Sequence, residues 1–356
     1  MFGHEAVECV DRGEAVLVDN LLENACNGRM IDVAGREFEA VALLALFFKK
    51  SLSLINLLVD SDSDIYVMFT LPNLDVAIIK TIQKAMEKMD NTWYRLFFQG
   101  YEESFANYIL HEAPAAWSNR VLLCDYNHDG DDLDIYSLSI NDRTRPKVIS
   151  VDKQTTKAFS YDDESFGENT SAVMSGNKYS GVYLVGKGFE EDWYKGSLKS
   201  LCMGRKVFRG SNLYSVGAVY SLKEIIDSSD ITKNYIYLGN TKLKANVGME
   251  VMKCGQKTYM PLLDGGRNWY DEKGECQIIL GNATSIKFMI TPLTGKEGKQ
   301  VEIFLDDLPD RPGKTIRLHV SLNCEGPEEI SATIEEVGFG KLFPATHKIW
   351  NERFIL

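Results

Sequence analysis

Residues 121–140, VLLCDYNHDGDDLDIYSLSI, constrain the fold more than any other stretch of the chain. An apolar run at 121–123 leads into a turn made of Asp, Asn, His and Gly residues. Apolar residues then alternate with polar ones as far as Ile140, which indicates a second strand with one buried face. The stretch therefore predicts a β-hairpin with an acidic turn. Its carboxylates and backbone N–H groups suit either a magnesium-bound phosphate group or a calcium ion.

Length and charge set the first limits on what the chain can do. Its 356 residues exceed one average domain, so two are expected, and its net charge of −12 argues against a nucleic-acid or anionic-membrane surface. The most apolar region, residues 40–59, is interrupted by Lys49 and Lys50, and each half is well short of the roughly 20 residues that span a bilayer. The 7 dispersed cysteines include no CxxC pair and no signal peptide is visible, so we expect a cytoplasmic protein with reduced thiols.

The pattern of secondary structure changes near Ser228. Before it, predicted strands alternate with amphipathic helices, and after it short strands alternate with turns rich in glycine and proline. We therefore predict an α/β domain at residues 1–228 and an all-β sandwich at residues 232–356. The polar run DSSDIT, residues 227–232, is the predicted linker, and residues 235–238 are the first strand predicted after it.

The order of the pieces before the linker resembles the actin, sugar-kinase and heat-shock-chaperone ATPase superfamily. Five segments follow that superfamily's order, at residues 64–89, 95–110, 121–140, 183–189 and 217–218. The hairpin resembles the second phosphate loop, and YLVGKGF resembles the adenosine motif. The resemblance implies an actin-like, ribonuclease H-like domain, and the segments also resemble a bacterial group of actin-like proteins. We expect the domain to be incomplete, because the start of the chain has no counterpart of the superfamily's first, glycine-rich phosphate hairpin.

The same resemblance implies residues that would bind ATP or ADP with magnesium. Asp125 would hold the magnesium ion through water, and Gln99 would orient a water molecule for attack on the γ-phosphate. Main-chain groups of the turn and the adenosine motif would supply the remaining contacts, namely Asn127, His128, Asp129, Gly130, Gly186 and Gly188. The plainer alternatives are an exposed acidic turn, a loop glutamine and an ordinary strand-to-helix turn.

A calcium site is a further alternative for the hairpin turn. Asp125, Asn127 and Asp129, followed by Gly130, occupy positions 1, 3, 5 and 6 of a calcium-loop pattern. The twelfth position is Tyr136, where the pattern has a bidentate glutamate, and the flanking segments are predicted as strands although the motif needs helices.

The predicted sandwich resembles the peptide-binding β-domain of the seventy-kilodalton heat-shock chaperones. VGMEV at 247–251 resembles that domain's "LGIET", and residues 308–320 resemble its "IPPAPRGVPQIEV". The resemblance implies that a groove for an extended apolar peptide is lined by four residues, namely Met249, Val251, Met252 and Ile286. Methionine suits adaptable apolar binding, although these residues would equally suit an ordinary sandwich core.

These observations leave three functional hypotheses. The first is a chaperone-like or protein-interaction protein with a degenerate nucleotide domain, whose partner is a protein or an extended peptide. The second is a Mg-ATP-dependent ATPase whose first phosphate loop lies outside this chain. The third is a calcium-binding structural module. None of the three needs a nucleic-acid or membrane partner.

Overall fold

The structure is a computed structural model that describes residues 3–53, 55, 65–89, 94–127 and 132–356. It confirms the coarse prediction of an α/β region followed by a β-rich region. The chain divides into two compact units, Met1–Tyr101 and Glu102–Leu356. In the part of the chain that is described, no helix is long and apolar enough to cross a membrane.

The first unit is a small α/β assembly. Its helices are α1 (His4–Asp11), α2 (Leu21–Cys26), α3 (Ala40–Ser53) and α4 (Val76–Glu87). Its strands pair as two ribbons, β1 (Met30–Val33) antiparallel to β2 (Arg36–Glu39) and β3 (Ile65–Leu71) parallel to β4 (Tyr94–Gly100). Helix α4 begins at Asp75, whose side chain accepts a hydrogen bond of 2.7 Å from the N–H of Ile78. Its buried face packs Ala85 with Leu44 and Ala45 of α3.

The second unit opens with a six-stranded sheet and its helices. In chain order these are α5 (Tyr101–Leu110), β5 (Arg120–Asn127), β6 (Asp132–Asn141), β7 (Lys147–Thr156), α6 (Asp163–Met174), β8 (Tyr179–Val185), α7 (Lys195–Leu201), β9 (Lys206–Arg209), α8 (Leu213–Ile226), α9 (Asp230–Asn234) and β10 (Tyr235–Tyr237). The strand order is β10-β7-β6-β5-β8-β9, and β6 alone runs antiparallel to the others. The carboxyl ends of β5 and β8 therefore meet at one edge of the sheet.

Both faces of this sheet are buried, because the side chains of β5 alternate between two apolar clusters. Leu122 and Cys124 face the cluster that includes Phe166 of α6, whereas Val121 and Leu123 face the cluster that includes α5. Helices α5 and α8 approach closely where a Cβ atom on Gly217 would lie 1.9 Å from the backbone oxygen of Ser104. Only glycine fits at that crossing, which gives the Gly217-Ala218 pair a structural role.

The remaining strands form two antiparallel sheets that share one hydrophobic core. They are β11 (Ala245–Lys253), β12 (Gln256–Leu263), β13 (Lys273–Leu280), β14 (Ser285–Pro292), β15 (Lys299–Phe304), β16 (Ile316–Cys324), β17 (Glu329–Glu336) and β18 (Ile349–Ile355). The sheet orders are β12-β11-β14-β15 and β13-β16-β17-β18. Strand β16 shows the predicted alternation, with Ile316, Leu318 and Val320 buried in the shared core.

The first strand predicted for the sandwich lies elsewhere, and this corrects the sequence-based assignment. Residues Tyr235–Tyr237 form β10, which pairs in parallel with β7 of the six-stranded sheet. A three-residue apolar strand carries no information about which sheet it joins, so periodicity could not place it.

The predicted linker, residues 227–232, contains the start of helix α9 and is tied into the fold. The side chain of Ser229 caps α9 by accepting from the N–H of Ile231, and buried Glu224 accepts a 2.9 Å bond from the N–H of Ser229. Further along, Lys242 forms a largely buried ion pair of 2.7 Å with Glu103 of α5. The six-stranded sheet thus ends after β10, beyond the predicted linker.

Candidate functional site

The hairpin predicted from residues 121–140 is formed by β5 and β6. Their register places Asp125 opposite Asp134 and Asn127 opposite Asp132. Opposed residues on an antiparallel ribbon lie on the same face, so the pair Asp125 and Asp134 brings two carboxylates together. His128, Asp129 and Gly130 of the turn lie outside the described residues.

Asp125 is a buried carboxylate at the carboxyl end of β5, with 6% of its surface exposed. The Tyr214 hydroxyl donates a 2.7 Å hydrogen bond to its Oδ2, and the Asn127 side-chain amide donates a 3.1 Å bond to its Oδ1. Burial raises the pKa of Asp125 to about 6, the bond from Tyr214 opposes the rise, and the charge of Asp134 adds to it. The carboxylate is therefore held in a costly ionised state at neutral pH.

Lys153 supplies the positive charge beside these carboxylates. Its ammonium nitrogen lies 2.9 Å from Oδ2 of Asp134. Its charge also lowers the pKa of Asp125 and of Glu102 at the start of α5, although burial raises the pKa of Glu102 overall. We call Asp125, Asp134, Glu102 and Lys153 the Asp125 cluster.

Sequence reasoning identified Asp125 but missed its neighbours. Lys153 reaches the cluster because β7 pairs with β6, with Tyr136 opposite Lys153, and Tyr214 reaches it from the start of α8. Neither residue belongs to a motif, so only the packing of distant segments reveals them.

The cluster does not fit a divalent cation held directly by Asp125. Both carboxylate oxygens already accept hydrogen bonds, and the Asn127 side chain presents its N–H rather than its oxygen to Asp125. Among the described residues, no group of three or more His, Cys, Asp or Glu side chains is placed to hold a metal ion. The ammonium of Lys153 already pairs with the neighbouring carboxylate of Asp134.

Gly186 and Gly188 lie against the hairpin. Gly186 has φ 96°, and a Cβ atom there would lie 2.3 Å from the backbone oxygen of Tyr126 and 3.0 Å from Oδ1 of Asp125. A Cβ atom on Gly188 would lie 2.3 Å from the ring of Tyr126. The glycines therefore allow the turn after β8 to pack on β5, and this contact explains why side chains are excluded there.

The ring of Tyr126 stands in an aromatic cluster that sequence reasoning did not identify. The centroids of the Phe159, Tyr161, Phe189 and Trp193 rings lie 5.1, 5.2, 6.1 and 5.9 Å from its own. Its hydroxyl donates a 2.9 Å bond to the backbone oxygen of Phe159. The protein's own side chains thus fill the space beside Gly188.

Gln99 lies near the end of β4, in register with Thr70 of β3, and is buried. It precedes helix α5, as predicted from the sequence, but it lies within β4, which extends to Gly100 and not only to the predicted end at Phe98. Gln99 belongs to the first compact unit and Asp125 to the second. Its proposed part in orienting a water molecule stays a prediction.

A groove lies in the sandwich where β11 and β14 separate. The two strands pair from Ala245 opposite Pro292 as far as Gly248 opposite Met289. Beyond that point, among the strands that the structure describes, each pairs only with its outer partner, β12 or β15. The ladder between β11 and β12 also shifts register at Val247 and Gly248, and a bulge of this kind bends a strand. The groove has a volume of about 990 Å³.

All four residues predicted to bind peptide line this groove, namely Met249, Val251, Met252 and Ile286. They differ in accessibility, because 66% of Met252 is exposed, whereas 4% of Ile286 is. The outer part of the groove is therefore open to a ligand, and Met249 and Ile286 belong also to the sandwich core.

Sequence reasoning missed several other lining residues. Met260 of β12 and Met289 of β14 add two thioethers, and Ile278 and Ile279 of β13 extend the apolar lining from the opposite sheet. A scan for methionine in the strands would have found the first two. The two isoleucines of β13 reach the groove only because the two sheets pack against each other, so the sequence pattern could not reveal them.

Two family models match the chain. One is described as "Family of unknown function (DUF5716) C-terminal" and matches residues 1–240. The other is described as "Domain of unknown function (DUF8552)" and matches residues 242–356. No curated protein matches the chain. The two matched regions meet between β10 and β11, where the six-stranded sheet gives way to the sandwich.

Proposed function

The chain belongs to the family of unknown function DUF5716, and we propose that it is a protein-interaction protein of the chaperone-like kind, acting in the cytoplasm. In this proposal the groove between β11 and β14 holds an extended segment of a partner protein. The observation that carries the proposal is the separation of the two strands beyond Gly248 and Met289, with an apolar groove between them.

Two physical features of the groove favour an extended polypeptide. Residues 249–253 of β11 and 285–288 of β14 have no ladder partner among the described residues on the sides that face each other, so their backbone groups can pair with an added strand. Methionine side chains, including Met252 and Met260, are flexible and polarizable and adapt to differing apolar side chains. Backbone pairing would supply affinity whatever the sequence of the segment, and the side chains would supply a broad preference for apolar residues.

Substitutions at exposed groove residues provide the test. Met252→Ser combined with Ile279→Ser removes two apolar side chains that line the groove and are largely exposed. The matched control is Leu342→Ser combined with Ile349→Ser, which removes exposed apolar side chains that do not line it. Anisotropy of a dye-labelled peptide with an apolar core of seven residues reports binding to the full chain.

We expect micromolar binding by the parent chain, about −8 kcal/mol, and by the control. The groove variant should bind at least about tenfold more weakly, because two apolar contacts are worth more than about 1.4 kcal/mol. Its unfolding midpoint should stay close to that of the parent, since surface substitutions change stability by within about 0.5 kcal/mol. Peptide binding that is equal in the groove variant and the control would refute the proposal.

For the α/β region we propose a degenerate nucleotide domain. A ribonuclease H-like domain is supported by the hairpin at the carboxyl end of β5 and the glycine turn after β8, which share one edge of the sheet. Ligands of open α/β sheets bind outside the carboxyl ends of the strands. Degeneracy is supported by Lys153, whose ammonium already pairs with Asp134 in the Asp125 cluster, and by the aromatic side chains beside Gly188.

Calorimetric titration with Mg-ATP, repeated with calcium alone, tests this second proposal. We expect no heat of binding in the micromolar range from either titration. A functional site would stabilise the folded state by about 2.7 kcal/mol at a ligand concentration about one hundred times its Kd. Stabilisation of that size by Mg-ATP, lost on Asp125→Asn, would show an intact nucleotide site, whereas a calcium-dependent effect would favour the calcium module.

A further inference from the structure

Positive charge is concentrated along the peptide groove. The charged residues that line it are Lys253, Lys287 and Lys314, together with Glu250. The chain as a whole has a net charge of −12, so the net charge of the groove lining is opposite in sign to that of the chain. A local patch of this kind attracts an acidic partner that the rest of the chain repels.

Two of these lysines keep their full charge available. Glu250 is paired with Lys257 at 3.5 Å, and Lys287 is paired with Glu302 at 3.4 Å. Lys253 and Lys314, by contrast, form no ion pair with any residue in the described part of the chain. Both are exposed, and an exposed lysine without a neighbouring carboxylate can pair with one supplied by a ligand.

Lys253 and Lys314 lie at the same end of the sandwich. Lys253 is the last residue of β11, at the end where β14 begins with Ser285. Lys314 shortly precedes β16, whose first residue, Ile316, pairs with Leu280 at the end of β13. Strands β13 and β14 are joined by the loop that follows Leu280, which places both lysines where the groove opens.

We propose that the segment bound in the groove is an extended strand with an apolar core and with acidic residues where it emerges beside Lys253 and Lys314. This inference rests on the proposed function of the groove. The methionines accept varied apolar side chains, so they supply little selectivity. The two lysines supply it, because they favour carboxylates and repel ammonium groups at the groove opening.

Three dye-labelled peptides distinguish this selectivity from simple apolar binding. They share one core of apolar residues and end in aspartates, serines or lysines. With the parent chain at low ionic strength we expect the aspartate peptide to bind about fivefold to tenfold more tightly than the serine peptide, and the lysine peptide to bind most weakly. The differences should shrink as salt is added, since exposed charges are screened.

Lysine substitutions assign the preference to named side chains. Lys253→Gln combined with Lys314→Gln should abolish the preference, so that this variant binds the aspartate and serine peptides with equal affinity. Lys273→Gln combined with Lys296→Gln removes the same charge from residues that do not line the groove. This control should keep the preference of the parent chain.

The outcomes distinguish the acidic preference from the peptide-binding function of the groove. Equal binding of all three peptides by the parent would overturn the acidic preference and leave the groove function standing. An aspartate preference that survives in the Lys253 and Lys314 variant would overturn the part assigned to these lysines. Binding of none of the peptides would overturn the groove function, and the acidic preference with it.

Discussion

Replacing Asp125 by Asn should stabilise the free protein at neutral pH. Burial raises the pKa of Asp125 from its ordinary value of 3.8 to about 6, so the folded protein holds the proton more tightly than the unfolded chain. Well below pH 3.8 both states are protonated and this group contributes nothing to the pH dependence of stability. As the pH rises towards 6 the unfolded chain ionises first, and stability is lost until the folded state ionises as well.

The expected gain in stability follows from the pKa shift of Asp125. One pKa unit corresponds to about 1.4 kcal/mol, so a shift of about two units costs the folded state about 3 kcal/mol at pH 7.5. At pH 4.5 the folded state is still protonated and the cost is about 1 kcal/mol. An asparagine has no charge to bury, and its amide oxygen can still accept the hydrogen bond from Tyr214.

Urea unfolding followed by tryptophan fluorescence, at pH 7.5 and at pH 4.5 with a chelator present, measures the difference. We expect Asp125→Asn to increase the free energy of unfolding by about 3 kcal/mol at the higher pH and by about 1 kcal/mol at the lower. Asp152→Asn, at an exposed position on β7, is the control and should change stability by less than about 0.5 kcal/mol. A destabilised Asp125→Asn variant, or a gain that is the same at both pH values, would refute the reasoning.

Three further substitutions test the packing. Gly217→Ala should lower the free energy of unfolding, measured in urea, by about 1–3 kcal/mol, because the added methyl group meets the backbone of Ser104. Helix propensity alone predicts that alanine stabilises the helix. A more stable variant would therefore contradict the close crossing of α5 and α8. Ile286→Phe should lower stability by about 1–3 kcal/mol, since Ile286 belongs to the sandwich core, and an unchanged melting temperature would show that the groove is open as far as this residue. Glu336→Gln should lower the free energy of unfolding by about 3 kcal/mol, because buried Glu336 pairs with Arg311 at 3.1 Å. Adding Arg311→Met to this variant should recover part of the lost stability, measured by thermal unfolding. No recovery in the double variant would show that the pair does not carry the effect.

The sequence alone determined the features that depend on neighbouring residues. Alternation of apolar side chains and an acidic turn predicted the hairpin that β5 and β6 form. The same local periodicity predicted the α/β region and the β-rich region after it. The resemblance led to Met249, Val251, Met252 and Ile286, which the fold does bring to one groove, while peptide binding there remains a prediction.

Tertiary structure alone decided the features that depend on distant pairings. Strand β10 joined the six-stranded sheet because its partner, β7, lies far back in the chain, and nothing in three apolar residues specifies that partner. The charge beside Asp125 comes from Lys153 because two ladders place β7 beside β6 and β6 beside β5. The groove opens because the hydrogen-bonded ladder between β11 and β14 stops at Gly248. The alternation of side chains along a strand is the same whether or not its neighbour is paired, so the sequence pattern could not predict where the ladder stops. Local sequence fixes which face of a strand is apolar, whereas the neighbours of a strand, and hence the charge and shape of a site, arise only when separate segments pack together.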